Sequence, residues 1–302
     1  MKHRLPLLIL VFALLAVPAQ AQKKKSSQYE KRITGLSVTV DAGLLVPNAK
    51  QADFYSGRPG NDNTIMRVLR SQQYGTQIWN ELVSAQLISP SAIPSYEAFD
   101  IAEYGRMYYK LTYQLGVGIR YDYESGWGWL LHFDYSQVAA AGQFQLSSNN
   151  GTGILGPHQY VTCDVYGIEK RMLIDFAIAK RIPLSRNLDL ELDLGFDLNN
   201  TKVQENGIRV NGHTYSILDI WGGRTPDMGS VGYEYINQGG IGIGGLAAVA
   251  LSYVFDGATV DFGYNLYYIQ TKYKGYNDED AYAFQHNIFL RFNLNNFSFF
   301  GK

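Results

Sequence analysis

The chain has one cysteine, Cys163, in 302 residues. That excludes an internal disulfide, so an exported fold of this size is held by packing and hydrogen bonding, and Cys163 reads as a lone packed thiol. After residue 21 no apolar run approaches the roughly 20 residues that a helix needs to cross a bilayer. Any membrane crossing by the rest of the chain is therefore made by strands. Basic residues are not in excess, with 26 Lys and Arg against 27 Asp and Glu, which argues against a nucleic-acid partner. Histidine is sparse, and His158, His213 and His286 are scattered without metal-ligand spacing.

Residues 1–21 are the exception. Lys2 and Arg4 precede an almost wholly apolar stretch over 5–17, and Ala19-Gln20-Ala21 has the small-x-small form that a signal peptidase cuts. The expected division is a signal peptide over 1–21, a periplasmic N-terminal segment over 22–32 and one outer-membrane domain over 33–302. Loss of Lys2 and Arg4 takes the 26 basic residues to 24 against 27 acidic ones, a mature charge of −3.

What the sequence holds in quantity is tyrosine, 23 residues, and glycine, 31. Tyr gathers at bilayer interfaces. A sheet spans a bilayer only when it closes on itself, apolar toward lipid and free to be polar toward its axis, so strict alternation is its signature. Residues 188–199 are the clearest case: Leu188, Leu190, Leu192, Leu194, Phe196 and Leu198 share one face, and Asp189, Glu191, Asp193, Asp197 and Asn199 share the other. A helix would mix these two sets around its circumference. The same period runs through 36–46, 110–123, 127–137, 168–181, 241–255, 260–268 and 287–294, which makes eight expected strands. The links at 124–126, 183–187 and 256–258 are tight and carry turn residues. Those at 48–107, 148–163, 205–239 and 273–283 are long. This alternation predicts an all-β, antiparallel up-and-down transmembrane β-barrel with long loops outside the cell and both termini periplasmic.

On these grounds the chain resembles the small eight-stranded outer-membrane barrels of the OmpA transmembrane-domain and OmpX type over about residues 33–300. It departs from their aromatic C-terminus, since Phe297, Phe299 and Phe300 are followed by Gly301 and Lys302. Its interleaved Tyr, Asn and Gly, and the Lys23-Lys24-Lys25 start, are similar to outer-membrane proteins of Bacteroidota.

The bore of an eight-stranded barrel is just wide enough for its own side chains. Parity places Asp41, Lys110, Arg120, Asp134, Glu169, Arg171, Asp175, Arg181, Asp189, Glu191, Asp193, Asp197, Asp261 and Arg291 there as a charge network, with Asp122 and His132 among them. These groups either fill the lumen as paired charges or line a narrow pore whose acidic excess would favour cations. His132, Asp134 and Ser136 share one strand face, but same-face neighbours stand about 7 Å apart, too far for a nucleophilic relay without help from other strands. The glycine-rich 239–245 opens a strand rather than a helix, so it lacks the setting of a phosphate loop. No catalytic, cofactor-binding or metal-ligating residue is assigned, and no cofactor is expected.

Within the first long link, Ile65, Val68, Leu69, Ile78, Trp79, Leu82 and Val83 recur at helical spacing, which predicts one or two short amphipathic helices. Such helices cap the barrel mouth, dock on a partner through Ile65, Leu69, Ile78, Trp79 and Leu82, or simply pack on themselves. Tyr215, Ile217, Trp221, Tyr233, Tyr235 and Ile236 of the third long link are expected to pack against them. The function this supports is a non-enzymatic surface or scaffold barrel in outer-membrane lipid, contacting another outer-membrane protein or an extracellular ligand, such as an accessory subunit of a secretion or uptake complex. A narrow gated channel is the alternative, and a membrane-embedded hydrolase the outsider.

Overall fold

The structure is a computed structural model and describes residues 34–60, 64–88, 99–148, 159–219, 238–255, 258–276 and 282–294. The expected signal peptide, the 22–32 segment, Trp221, Tyr233, Tyr235, Ile236 and the terminal phenylalanines lie outside these residues.

Among the described residues there are eleven strands: β1 (Gly35–Val46), β2 (Phe99–Tyr104), β3 (Tyr108–Tyr109), β4 (Thr112–Asp122), β5 (Trp127–Ser148), β6 (Gln159–Pro183), β7 (Leu188–Val210), β8 (His213–Ser216), β9 (Ile241–Phe255), β10 (Ala258–Gln270) and β11 (Tyr282–Leu294). Antiparallel pairing runs β1-β4-β5-β6-β7-β9-β10-β11, and β11 returns to β1 from Val38↔Leu294 to Val46↔His286. Eight strands thus close an up-and-down barrel. Outside the ring, β2 and β3 pair along β5 and β8 pairs with β7. Closure leaves the ring no unpaired edge, which a lipid environment demands.

Alternation decides which way each side chain points. Along β11 exposed and buried residues alternate without a break, and the exposed ones elsewhere include Tyr113, Leu194 and Phe262, at 76%, 70% and 60% exposure. This apolar wall is the lipid face of a transmembrane barrel. Aromatic residues mark its ends. Tyr113 and Tyr123 stand ten positions apart on one chain, roughly 25 Å along the normal for a strand tilted by about 40°. At the turn end the Lys180 ammonium lies 4.7 Å from the Trp127 ring centroid and donates to the Ser125 carbonyl at 2.9 Å, the posture of a snorkelling lysine.

Strands β5, β6 and β7 do not stop where the lipid face stops. In β5 the inward residues His132, Asp134 and Ser136 give way to Val138, Ala140, Phe144 and Leu146, while the outward Phe133 and Tyr135 give way to Gln143 and Gln145. In β6 the inward Glu169 and Arg171 are continued by Val165, Cys163 and Val161, and in β7 the inward Thr201 is followed by Val203, Ile208 and Val210. Only one bulge, beside Ile168 and Glu169, interrupts the β6–β7 register. Side-chain parity is unbroken along β5 and β6, and in β7 the bulge moves the inward positions from odd (Thr201, Val203) to even (Ile208, Val210); in all three strands the polarity of the two faces is exchanged. Below the crossover lipid lies outside; above it water does, and the hydrophobic effect reverses the preferred face.

The apolar inner face of this upper sheet is covered by the segment after β1: a 3₁₀ turn Gln51–Ser56, helix α1 (Ile65–Leu69) and helix α2 (Gln72–Ser84). The 3₁₀ turn ends at Gly57, whose φ of 64° is left-handed. Ser71 caps α2 by accepting the Tyr74 N–H at 3.1 Å. Ile65, Val68, Leu69, Ile78, Trp79 and Leu82 pack with Phe99, Phe144, Cys163, Val203, Tyr215 and Ile217 into one buried core. The stretch read as loop over 48–107 therefore contains β2 besides its helices, and β3 follows directly after it. The long links 148–163 and 205–239 likewise yield residues 159–163 to β6 and much of 205–216 to β7 and β8.

Candidate functional site

The lumen is filled in three tiers. Nearest the tight turns, Glu191 is the common acceptor of three guanidiniums: Arg120 Nη1 at 2.5 Å, Arg181 Nε at 2.9 Å and Arg291 Nη1 at 3.5 Å. Arg120 Nε also donates to both Asp122 oxygens at 2.9 Å, and Arg291 reaches Asp193 at 3.5 Å. Asp261 accepts from Asn293 at 2.6 Å, and Asp189 is buried in the same tier. Each buried guanidinium thus has carboxylate partners, which is the condition under which burying charge is tolerable.

The middle tier depends on two glycines. Strand β4 separates β1 from β5, yet the registers Asp41↔Gly116↔Asp134 and Thr39↔Gly118↔His132 place glycine at its inward positions. A Cβ at Gly116 would strike the Asp41 and Asp134 carboxylates, and one at Gly118 the His132 ring. With none there, groups of β1 and β5 meet across β4. Thr39 Oγ1 lies 2.5 Å from His132 Nε2, and His132 Nδ1 lies 3.0 Å from Asp41 Oδ2 and 3.7 Å from Asp134 Oδ2. Asp175, in register with both His132 and Asp197, accepts the Tyr267 hydroxyl at 3.0 Å. Ser136 Oγ has no hydrogen-bond partner, and His132 is bonded to Thr39 instead, so the His/Asp/Ser set on β5 is not wired as a nucleophilic relay.

The third tier sits at the polarity crossover. Glu169 accepts from Tyr55 at 2.6 Å, Tyr273 at 2.8 Å and Arg171 Nε at 2.6 Å. Arg171 also donates to Gln285 at 2.8 Å, and its guanidinium lies over the Tyr109 ring at 5.1 Å. Burial, and the Glu169 carboxylate beside them, raise Tyr55, Tyr109 and Tyr273 above the usual phenol range, so all three remain protonated donors. Glu169, Arg171, Arg120 and Glu191 each have 0% exposure. Side chains that cross the bore at two levels are thus beyond the reach of water.

Of the fourteen residues assigned to the lumen by parity, Lys110 departs. It is exposed, in the break between β3 and β4, where its N–H bonds to the Ala139 carbonyl at 2.9 Å above the last enclosed layer. The five residues assigned to partner contact also depart: Ile65, Leu69, Ile78, Trp79 and Leu82 are buried in the cap, because their apolar face is taken by the upper sheet. Tyr215 and Ile217 do join that core, with Tyr74 and Tyr215 at 5.5 Å between ring centroids.

A surface site that the sequence did not single out lies on the water-facing outer side of the upper sheet. It is a groove of about 640 Å³ floored by Ala139 and Ala141, with Arg106, Tyr108 and Lys110 on one wall and Tyr166, Glu205 and Arg209 on the other. Arg209 lies over the Tyr166 ring at 5.8 Å. The floor residues are small and sit on a strand extension that does not read as strand from apolar alternation.

No family model matches the chain, and no curated protein sequence does. Among solved structures it is similar to Neisserial surface protein A, at 9% identity and a TM-score of 0.39, covering 87% of this chain and 98% of that one. It is also similar to Ail, the attachment invasion locus protein of Yersinia pestis, in complex with the heparin analogue sucrose octasulfate, at 9% identity and a TM-score of 0.35, covering 87% and 99%. The fold described above rests on its own strand pairing.

Proposed function

We propose that the chain is a non-enzymatic surface barrel of the outer membrane, with its capped end outside the cell and its turn end and termini in the periplasm. The exchange of polarity along β5–β7 carries this reading. A wall that faces lipid for about 25 Å and then faces water requires an aqueous compartment on the capped side large enough for a folded platform. The signal peptide expected at the N-terminus fits export to that membrane. The groove beside Arg106 and Arg209 offers the platform's ligand or partner surface, in keeping with an accessory subunit of a secretion or uptake complex. The closed bore speaks against steady ion flow.

The test has two arms. In intact cells Gln145→Cys is labelled by a membrane-impermeant maleimide, and failure to label while the folded barrel is present would reverse the orientation. Pull-down in mild detergent, after cross-linking, returns a partner that Arg106→Glu/Arg209→Glu loses. Recovery of the wild type always alone, or steady single-channel current from the refolded barrel, sinks the scaffold reading.

A further inference from the structure

We infer that Asp41, His132 and Asp134 form a site for a divalent transition-metal ion of the zinc class inside the barrel. One donor atom from each lies within 4.8 Å of the others, brought from β1 and β5 across the glycines of β4. A tetrahedral ion with ligands at roughly 2.0–2.2 Å holds its donors about 3.3–3.6 Å apart. The distances from His132 Nδ1 to the two carboxylates, 3.0 and 3.7 Å, bracket that spacing.

The imidazole is oriented for the task. His132 Nε2 lies 2.5 Å from Thr39 Oγ1; in the tautomer that donates there, Nδ1 presents a lone pair to the two carboxylates, and a ligating histidine is commonly held by such a bond from its other nitrogen. Although Nδ1 is 3.0 Å from Asp41 Oδ2, it makes no hydrogen bond of acceptable geometry, so the approach is not that of an N–H aimed at an oxygen. A cation between the three groups resolves the clash of lone pairs.

Unsatisfied buried atoms point to a ligand: Asp41 Oδ1, His132 Nδ1 and Asp134 Oδ1 have no hydrogen-bond partner although each residue is more than nine-tenths buried. Gln114, one inward position from Gly116 along β4 and 0% exposed, lies against the Asp134 carboxyl and closes that side of the cluster. Charge points the same way. Asp175 and Asp197 add two further buried acids, while Arg291, 3.8 Å from Asp41, is also engaged with Glu191 and Asp193. Ionising several carboxylates shut away from water is costly, and a divalent cation would offset that cost. One imidazole with two carboxylates suits zinc or manganese better than calcium, which takes oxygen ligands, or copper(I), which takes sulfur. Because tiers above and below are closed to water, the ion enters as the barrel folds and thereafter ties β1 to β5.

The untagged mature chain, refolded in detergent with zinc chloride and dialysed, is assayed for metal by emission spectroscopy. The expectation is about one zinc per folded barrel, falling at least roughly ten-fold in Asp134→Asn and His132→Gln. Folded wild type with negligible zinc, or folded Asp134→Asn with undiminished zinc, overturns the site. Since either variant can fail to fold, X-ray absorption at the zinc edge of the wild type decides independently: imidazole with oxygen ligation is expected, and sulfur ligation from Cys163 or an all-oxygen shell overturns it.

Discussion

Tyr55 donates its hydroxyl to Glu169 at 2.6 Å although 114 positions separate them. The bond ties the turn after β1 to the strand wall at the level where that wall leaves the membrane. Tyr55→Phe removes one donor while Tyr273 and Arg171 still serve the carboxylate, and should destabilise the cap by about 1–2 kcal/mol. Glu169→Ala strips the Arg171 guanidinium of its carboxylate in a fully buried site and should cost about 3–5 kcal/mol. Limited proteolysis within 51–84 reads the cap, and heat-modifiable gel migration reads the barrel. Equal sensitivity of the two variants would show that the carboxylate is not the hub.

The same phenols give the cap an alkaline limit. Burial and Glu169 raise Tyr55, Tyr109 and Tyr273 above their ordinary value. A group that holds its proton more tightly when folded stabilises fully below its unfolded pKa, here about 10, and that contribution fades as pH climbs toward the folded value. Neutral and mildly acidic buffers should leave this latch untouched, and protease sensitivity of residues 51–84 should rise above a pH of about 10. Three phenols that titrate at their ordinary value in the intact cap would contradict this.

Much of the barrel is legible in the sequence because one physical contrast, lipid against enclosed polar groups, persists along each strand and writes itself with period 2. Leu188 to Leu198 against Asp189 to Asn199 is read directly. The same rule hides the upper strands: once Val138 faces a protein core and Gln143 faces water, apolar-out alternation ends although the strand continues. Helical spacing in Ile65 to Leu82 is visible, but spacing cannot tell whether the apolar face meets a partner or the chain's own sheet. The meeting of Asp41 with His132 is hidden for another reason. It depends on the register of three strands and on the absence of side chains at Gly116 and Gly118, neither of which local motif spacing records.

Gly167 lies beneath Tyr55, and a Cβ added there would fall within its ring. Gly167→Val should therefore displace the ring and weaken the cap by about 1–3 kcal/mol through overpacking. In a Tyr55→Ala background the space is free and the same change should cost much less. A double-mutant cycle on cap proteolysis measures the coupling, and strictly additive losses would mean that the glycine is not kept for this contact.

The polarity crossover makes its sharpest prediction for one substitution at two heights. Leu194, on the outward face of β7 midway along its lipid-facing stretch, is 70% exposed. Gln143 points outward from β5 above that stretch. Arginine at 194 must put a guanidinium into hydrocarbon, which in a spanning barrel costs about 2–4 kcal/mol near the midplane. Arginine at 143 meets water and should change stability by less than about 0.5 kcal/mol. Equilibrium unfolding from lipid vesicles measures both. Their order matters more than their size: if Gln143→Arg were the costlier change, the upper sheet would lie in the bilayer, and the separation of a lipid-facing wall from a water-facing platform would be wrong.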